Sequence, residues 1–465
     1  MRRKDMTYSV CPICLKRIPA ERIHEGQQVQ MVKICREHGM FTVPLWRGNV
    51  SWGIWKGRIE PLREDECLQC GTCTGLCPDH RRATCCTLLE VTGRCNRNCT
   101  FCFAGECEEA DPPLERVKAW IRDLTVSGET FLQLSGGEPT LREDLPEIVA
   151  FARECGCRYV QLNSNGVRLA EDVDYVRRLA EAGLSFVFLQ FDGVSDEVYV
   201  RLRRGPMMQI KERAIENCGR YGLGVTLVPV IVPGVNTDQI GDILRYGIAR
   251  SPVVRGVHFQ PVSYFGRIPQ MPQDEDRFTL DELIKEIAVQ SGGLIVEENL
   301  APSCCDHPMC GFHADFVVMP DGSLRPLTKR STACCCHGSS LPEEDPAKKN
   351  REFIGKRWSS GGGKKAEGGT VTENEPVIKM EEDGMPDLSD MDTFLSYGRT
   401  YGFTVTSMAF QDAGNLDFER LRQCSLHVYR DGKKIPFCAN YLTPFPAENV
   451  NGGFRIMPIK QEIES

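Results

Sequence analysis

Cys95-Asn-Arg-Asn-Cys99-Thr-Phe-Cys102 sets three thiols at CxxxCxxC spacing. Three thiolates can hold three irons of a [4Fe-4S] cube and leave the fourth iron open to a substrate or cofactor. An open metal position implies chemistry, whereas a structural tetrahedral site would have to borrow its fourth ligand from elsewhere. A second run, Cys67-Leu-Gln-Cys70-Gly-Thr-Cys73-Thr-Gly-Leu-Cys77-Pro78, has the spacing of a bacterial ferredoxin cluster. In two-cluster ferredoxins the fourth cysteine serves the other cluster, so Cys85 and Cys86 are alternatives to Cys77, and zinc is the rival occupant. Cys304, Cys305 and Cys310, with Cys334, Cys335, Cys336, Cys424 and Cys438 further on, offer a further auxiliary cluster. Consecutive cysteines diverge and do not readily share one cube, so some of these are spectators. Near the start, Cys11-Pro-Ile-Cys14 and Cys35-Arg-Glu-His38-Gly39 form two knuckles whose three thiolates and one imidazole make a closed tetrahedral site for zinc or mononuclear iron. Cys107, Cys155, Cys157 and Cys218 stand apart and read as small buried hydrophobes.

From Thr87 to about Ser263 the chain alternates apolar β-rich runs with amphipathic stretches, which predicts successive βα units, a parallel sheet and an α/β fold. The runs are Leu88 to Thr92, Phe131 to Leu134, Tyr159 to Leu162, Phe186 to Phe191, Val225 to Val232 and Val257 to Val262. The CxxxCxxC segment falls in the loop directly after the first run, at the strand end where parallel sheets place their ligands. Gln190 with Asp192, and His258 with Gln260, are spaced by two on the fourth and sixth strands, so each pair faces one side and is a candidate for substrate contact. Core-facing stripes predict helices through Leu145, Ile148, Val149 and Ala152; through Val173, Val176, Leu179 and Ala180; and through Ile240, Ile243, Leu244 and Ile248.

These signals divide the chain into a zinc-ribbon- or rubredoxin-like module at 1–45, an auxiliary iron-sulfur segment at 46–86 and the βα units at 87–290. A cysteine-rich segment at 291–337 includes a hairpin turned at Asp321-Gly322. Residues 338–382 lose apolar periodicity and read as a flexible linker or insertion. The last region, 383–465, holds a helical segment near Phe418 to Leu421 and a hairpin turned at Asp431-Gly432.

The 465 residues suffice for about three domains. Twenty-four cysteines in a chain with no apolar export segment point to a reducing compartment, where clustered thiols bind metal or do redox work. The net charge of −8 and the lack of a basic stripe give no reason to expect nucleic-acid binding. No apolar run approaches the ~20 residues of a spanning helix, and the cytoplasm is the expected location.

The CxxxCxxC loop, with Phe101 before its third cysteine, resembles that of the radical SAM superfamily. Ser135-Gly136-Gly137-Glu138-Pro139 looks like the superfamily's GGEP motif, and Asn163-Ser164-Asn165-Gly166 is similar to its ribose-contacting segment. Val230-Ile231-Val232-Pro233-Gly234 holds the usual place of another S-adenosylmethionine (SAM)-lining stretch. The resemblance implies a partial (βα)6 barrel with a [4Fe-4S] cluster and SAM at its mouth, the aromatic Phe101 beside the adenine and the bare glycine backbone near the methionyl ammonium. It also implies a reduced ferredoxin- or flavodoxin-type donor, and a 5′-deoxyadenosyl radical that takes hydrogen from an inert C–H bond. Within the superfamily the chain most resembles tetraether lipid synthases and the related pterin-methylating and radical SAM (seleno)protein families. That likeness rests on Cys11 to Ala20, Leu88 to Thr92, Leu189-Gln190-Phe191-Asp192-Gly193 and Ile435 to Ala439. Tetraether synthases join lipid tails by radical C–C coupling and carry auxiliary iron sites beside the SAM cluster. The expected activity is therefore C–C bond formation or methylation on a small-molecule or lipid substrate. An iron-sulfur electron carrier and a maturase acting on a protein partner are the alternatives.

Overall fold

The computed structural model describes residues 3–57, 59, 76, 80–103, 110–126, 128, 130–268, 270–328, 330, 348, 351, 355, 357, 358 and 390–446. Cys67, Cys70, Cys73, Cys77, Cys107 and Cys334 to Cys336, with most of 338–382, lie outside these residues.

The first four strands, β1 (Arg3–Val10), β2 (Arg17–Glu25), β3 (Gln28–Cys35) and β4 (Gly39–Trp46), form an antiparallel meander. It carries the knuckles, where Leu15 and Gly39 adopt positive φ and reverse the chain after Cys14 and between Cys35 and β4.

The six expected strands are present as β5 (Cys86–Thr92), β6 (Thr130–Gly136), β7 (Cys157–Ser164), β8 (Phe186–Gln190), β9 (Gly224–Val228) and β11 (Val254–Pro261), with the short β10 (Val230–Ile231) beside β11. They pair in that order and all run parallel. The outer helices bury the expected stripes: Leu145, Ile148, Val149 and Ala152 are fully buried, as are Ile240, Ile243 and Leu244. One stripe is shifted by a residue. Val173 lies exposed at its helix start while Tyr175 is buried and donates its hydroxyl to the carbonyl of Arg142 at 2.9 Å. Cys157 and Cys218 are buried in the core, as expected of small hydrophobes, and Cys155 is half-buried.

The sheet is longer than the sequence indicated. β15 (Gly402–Met408) adds a parallel strand beside β11, with His258 opposite Thr406, and β16 (Leu426–Arg430) adds another beside β5, with Val428 opposite Leu88. The last part of the chain thus flanks both ends of the six-stranded array, giving eight parallel strands in a row. Beyond them, β12 (Ala301–Pro302), β13 (Gly311–Val318) and β14 (Leu324–Pro326) extend the sheet past β15, and β17 (Lys433–Pro436) borders β16.

The loops at the two sheet edges close on each other. Asp306 Oδ1 accepts from the Ser425 amide at 2.7 Å, His307 meets Glu419 at 3.2 Å, and Arg420 donates to the Ala409 carbonyl at 2.7 Å. The meander docks on this closure. Buried Arg22 donates to Asp417 and Glu419 at 3.0 Å, and Lys56 joins Glu419 at 2.5 Å. Burial works against the Glu419 charge, but His307, Arg22 and Lys56 hold its carboxyl well below the usual range. Trp55 donates to the Pro308 carbonyl at 3.0 Å and packs on Trp46, which meets Trp52 edge-on.

Candidate active site and metal centres

The loop after β5 carries Cys95, Cys99 and Cys102, and its neighbours fix it by backbone contacts. Gly137 N donates to the Thr92 carbonyl at 2.9 Å and Glu138 N to the Arg94 carbonyl at 2.8 Å. A Cβ on Gly136 would stand 2.1 Å from the Thr92 oxygen, and one on Gly137 2.2 Å from the Arg94 oxygen. Both positions therefore need glycine for the two loops to touch at all, Gly136 also having φ +127°. On the far side, Thr100 N donates to the Leu202 carbonyl at 3.0 Å and Arg267 to the Cys99 carbonyl at 2.8 Å.

Glu138 is fully buried and tied up. Its carboxylate accepts from Thr140 N and Oγ1 at 3.2 and 2.6 Å, from Ser164 Oγ at 2.8 Å and from Asn165 N at 2.7 Å. Burial pushes its pKa up against these donors. The acid thereby latches the loop after β6 to the end of β7. Asn165 continues the chain of contacts, donating from Nδ2 to Asn96 Oδ1 at 2.7 Å within the cysteine loop.

One cavity of about 370 Å³ runs from this loop into the sheet interior. Cys95, Cys99, Cys102, Phe101, Gly136, Gly137, Glu138, Asn163, Ser164 and Asn165 line it. Gln190, His258 and Gln260 line it too, from β8 and β11. His258 Nδ1 is spent on Thr406 Oγ1 at 2.8 Å, and burial pushes its pKa down to about 4, so the ring is neutral.

Three predicted site residues lie elsewhere. Asp192 is fully buried behind the cavity, with its carboxylate held by Arg203 Nε at 2.6 Å and Nη2 at 2.9 Å, and it also accepts from the Val230 amide at 3.1 Å. A carboxylate so committed is a structural partner of the arginine fork. Pro139 opens a buried 3-10 turn behind the loop. Val232 packs with Val198, Leu202, Val262 and Tyr264, its amide donating to Asn236 Oδ1 at 2.7 Å.

The auxiliary cysteines divide. Cys85, Cys86, Cys304 and Cys305 line the same cavity, and the neighbouring Cys85 thiol together with burial raises the Cys305 pKa. Cys310, Cys424 and Cys438 are not in the cavity wall. Cys310 accepts from Arg420 at 3.5 Å, Cys438 from the Gln411 amide at 3.3 Å, and Cys424 donates to the Leu426 carbonyl at 3.0 Å.

Among the described residues, a single group of metal-ligating atoms gathers within 4.8 Å: Cys11, Cys14, Cys35 and His38. A tetrahedral ion with metal–sulfur bonds of ≈ 2.3 Å and metal–nitrogen bonds of ≈ 2.0–2.1 Å spaces its ligands roughly 3.5–3.8 Å apart. Here Cys11 and Cys35 Sγ stand 3.6 and 3.5 Å from His38 Nδ1, and Cys14 and Cys35 Sγ are 4.0 Å apart. The set fits one ion. Cys95, Cys99 and Cys102 do not gather so tightly, which fits thiolates serving three separate irons of a cube rather than one ion.

Two residues at the site carry no sequence motif. Arg203 lines the cavity, and its guanidinium stands near enough to Cys99 for the thiol to add to the attraction that Asp192 exerts on its charge. Lys211 is fully buried, donating to the Asn165 carbonyl at 2.6 Å and Gln190 Oε1 at 2.9 Å, and burial lowers its pKa to about 7. Lys211 shares a helix face with buried Ala214, Ile215 and Cys218, at i+3, i+4 and i+7, and that spacing is the sequence signal that this lysine points inward.

The chain matches the Radical SAM superfamily over residues 89–247 and the HMPTM N-terminal zinc ribbon domain over residues 4–47. It is 33% identical, over 93% of its length and 92% of the relative's, to 7,8-dihydro-6-hydroxymethylpterin dimethyltransferase of Methanocaldococcus jannaschii. The chain belongs to the radical SAM superfamily and is an enzyme of that class. A [4Fe-4S] cluster and SAM are the cofactors that membership implies. It is also 29% identical to Fe-coproporphyrin III synthase of Methanosarcina barkeri, over 47% of this chain and 56% of that one. Among solved structures, SuiB of Streptococcus suis with its precursor peptide SuiA aligns at 16% identity and TM-score 0.39, over 45% of this chain and 47% of that one. No helix among the described residues is long and apolar enough to cross a membrane.

Proposed function

We propose that this enzyme takes hydrogen from an unactivated carbon of a flat, partly reduced heterocycle of the dihydropterin class and methylates it, one SAM being cleaved to abstract the hydrogen, a second giving the methyl group, and the reduced electron donor supplying one electron for each. The observation that carries this reading is the cavity joining Cys95, Cys99 and Cys102 to a lumen lined by Gln133, Gln190, His258 and Gln260 and by Phe131 and Phe188. Aromatic side chains together with amide and imidazole groups suit a ring with a hydrogen-bonding edge. The pterin dimethyltransferase named above supports the same class.

Cys95, Cys99 and Cys102 would hold the cluster, and Phe101 with the segments at 136–138 and 163–165 would line the SAM site. The cluster and SAM, when bound, supply the one-electron cleavage that generates a carbon radical. Glu138 keeps the two loops at fixed separation. Arg203 places positive charge beside Cys99, and neutral His258 offers its remaining nitrogen as a hydrogen-bond partner without bringing a proton to the radical. Enclosure by the loops at 303–310 and 409–425 keeps water from the reacting carbon. One of Cys85 and Cys86 and one of Cys304 and Cys305 are the described candidates for auxiliary cluster ligands. The ribbon set Cys11, Cys14, Cys35 and His38 is read as a zinc site with a structural role, mononuclear iron being the alternative. A reduced ferredoxin- or flavodoxin-type protein is the proposed electron source.

Coupling of hydrocarbon chains is the second reading. The apolar wall of Leu88, Val228, Val230, Phe265 and Phe312 favours it. Anaerobic turnover of reconstituted enzyme with SAM, dithionite and 7,8-dihydro-6-hydroxymethylpterin separates the two. Methylated pterin formed together with 5′-deoxyadenosine supports methylation. Pterin recovered unchanged overturns it, and consumption of an added isoprenoid lipid under the same conditions favours coupling.

A further inference from the structure

The lumen that Cys95, Cys99 and Cys102 open into has a floor, and the floor comes from the stretch whose composition reads as a linker. Trp358 is 5% exposed. Its indole packs on Phe188 and Phe186 at 4.8 and 5.5 Å between ring centres, and Phe131 completes the cluster. Phe186 is the first residue of β8 and Phe131 the second of β6, so this stack sits at the N-terminal end of the parallel strands, opposite the cysteine loop. Trp358 Nε1 donates to Thr404 Oγ1 at 2.7 Å, which fixes the ring against β15.

The backbone around it is anchored as well. Arg255 Nε donates to the Arg357 carbonyl at 2.9 Å, Arg357 donates to the Gly398 carbonyl at 3.0 Å, and Arg351 to that of Thr84 at 2.5 Å. A Cβ on Gly355 would stand 2.2 Å from the Tyr159 ring, so this backbone lies directly on the strand end. Trp358 lines the same cavity as the three cysteines.

The geometry points to Trp358 as the residue that sets the depth of the substrate chamber and so excludes long substrates. This rests on the reading of the lumen as the substrate site. On β8 the lumen is lined by Phe188, which the indole stacks on, and by Gln190, so the strand gives about 7 Å of wall above the level of Phe188. A compact bicyclic ring fits above the indole, whereas an extended hydrocarbon tail of greater length must fold back or displace it. Few other residues combine so large a volume with a fixing hydrogen bond, so the indole acts as a ruler rather than as a yielding wall.

The test measures binding rather than turnover. Reconstituted holoenzyme with SAM is titrated, without reductant, against n-alkanols from hexanol to tetradecanol, with affinities read by native mass spectrometry. In the wild type, affinity should rise with chain length and then level off. In Trp358→Ala the rise should continue, by about fourfold for each further methylene taken in. Trp358→Phe should keep the wild-type limit. If Trp358→Ala fails to fold, Trp358→Leu should show an intermediate limit. An unchanged limit in whichever small variant folds, or no dependence on length in the wild type, overturns the proposal. Failure of pterin methylation leaves these affinities standing, so the two readings fail separately.

Discussion

The ribbon and the cysteine loop each gather three cysteines, and the backbone treats them in opposite ways. In the ribbon, Cys11 follows the end of β1 and Cys35 closes β3, on a meander whose hydrogen bonds fix their spacing before any metal arrives. Burial raises the Cys11 thiol to about 11, whereas Cys35 is lowered to about 7, since backbone amides at Glu37 and His38 and the His38 ring outweigh its burial. In the loop at 95–102 the same residue type is spread along a cavity wall, held from behind by Gly137, Glu138, Leu202 and Arg267. A closed set saturates its ion, and a spread set facing a chamber leaves room for a reactant. Thiol number is the same in both, so the His38 imidazole and the arrangement together separate staple from reagent.

The contrast breaks most directly at Cys99. Cys99→Ala should reduce 5′-deoxyadenosine formation to the level of the enzyme-free control while ribbon metal stays near one ion per chain by elemental analysis. Cleavage above that control would show that the loop does not hold the reactive cluster. Arg203→Lys comes next. A lysine cannot supply the fork that holds Asp192 and reaches Cys99, and the cleavage rate should fall about 10- to 100-fold, as for other groups that orient a metal ligand. An unchanged rate would reduce Arg203 to a packing partner of Asp192.

Cys35→Ala tests the other half. Loss of the ribbon metal should lower the thermal midpoint, because the ion's binding energy is folding energy for that module. The cleavage rate per folded molecule should stay within a factor of a few. A collapse of activity without unfolding would give the ribbon a chemical role. His258→Gln should have the smallest effect. Its folded pKa of about 4 lies below the ordinary 6.5, so the unfolded chain takes up a proton that the folded chain refuses. The stability at stake is present above pH 6.5 and is lost as the pH falls from 6.5 towards 4. The substitution should flatten that part of the thermal-midpoint profile, and an unaltered profile would mean that His258 is protonated in the folded protein.

Much of this was legible in the residues. The six central strands, three core stripes and the Cys3His set follow from local periodicity and spacing, which act within a few residues of one another. Three features were not legible. β15 pairs with β11 across 148 residues, His258 opposite Thr406, and parallel pairing leaves no local signature. Trp358 sits in a polar, glycine-rich context whose average hides a single anchored ring. Gly136 and Gly137 were read as room for a ligand, whereas their first constraint is the backbone of Thr92 and Arg94. Asp192 shows the limit of the face argument: its spacing from Gln190 is right, but the arginine that claims it lies on the next helix.

Because β15 lies against β11 and β16 against β5, the β11 border of the central array is raw until residue 408 has left the ribosome, and the β5 border until residue 430. A nascent chain stalled before residue 402 exposes two unpaired strand edges, and one stalled between 408 and 426 exposes one, and such edges invite aggregation. Closure of the six-stranded array therefore waits on β15 and β16, which the chain supplies only after all six of its strands.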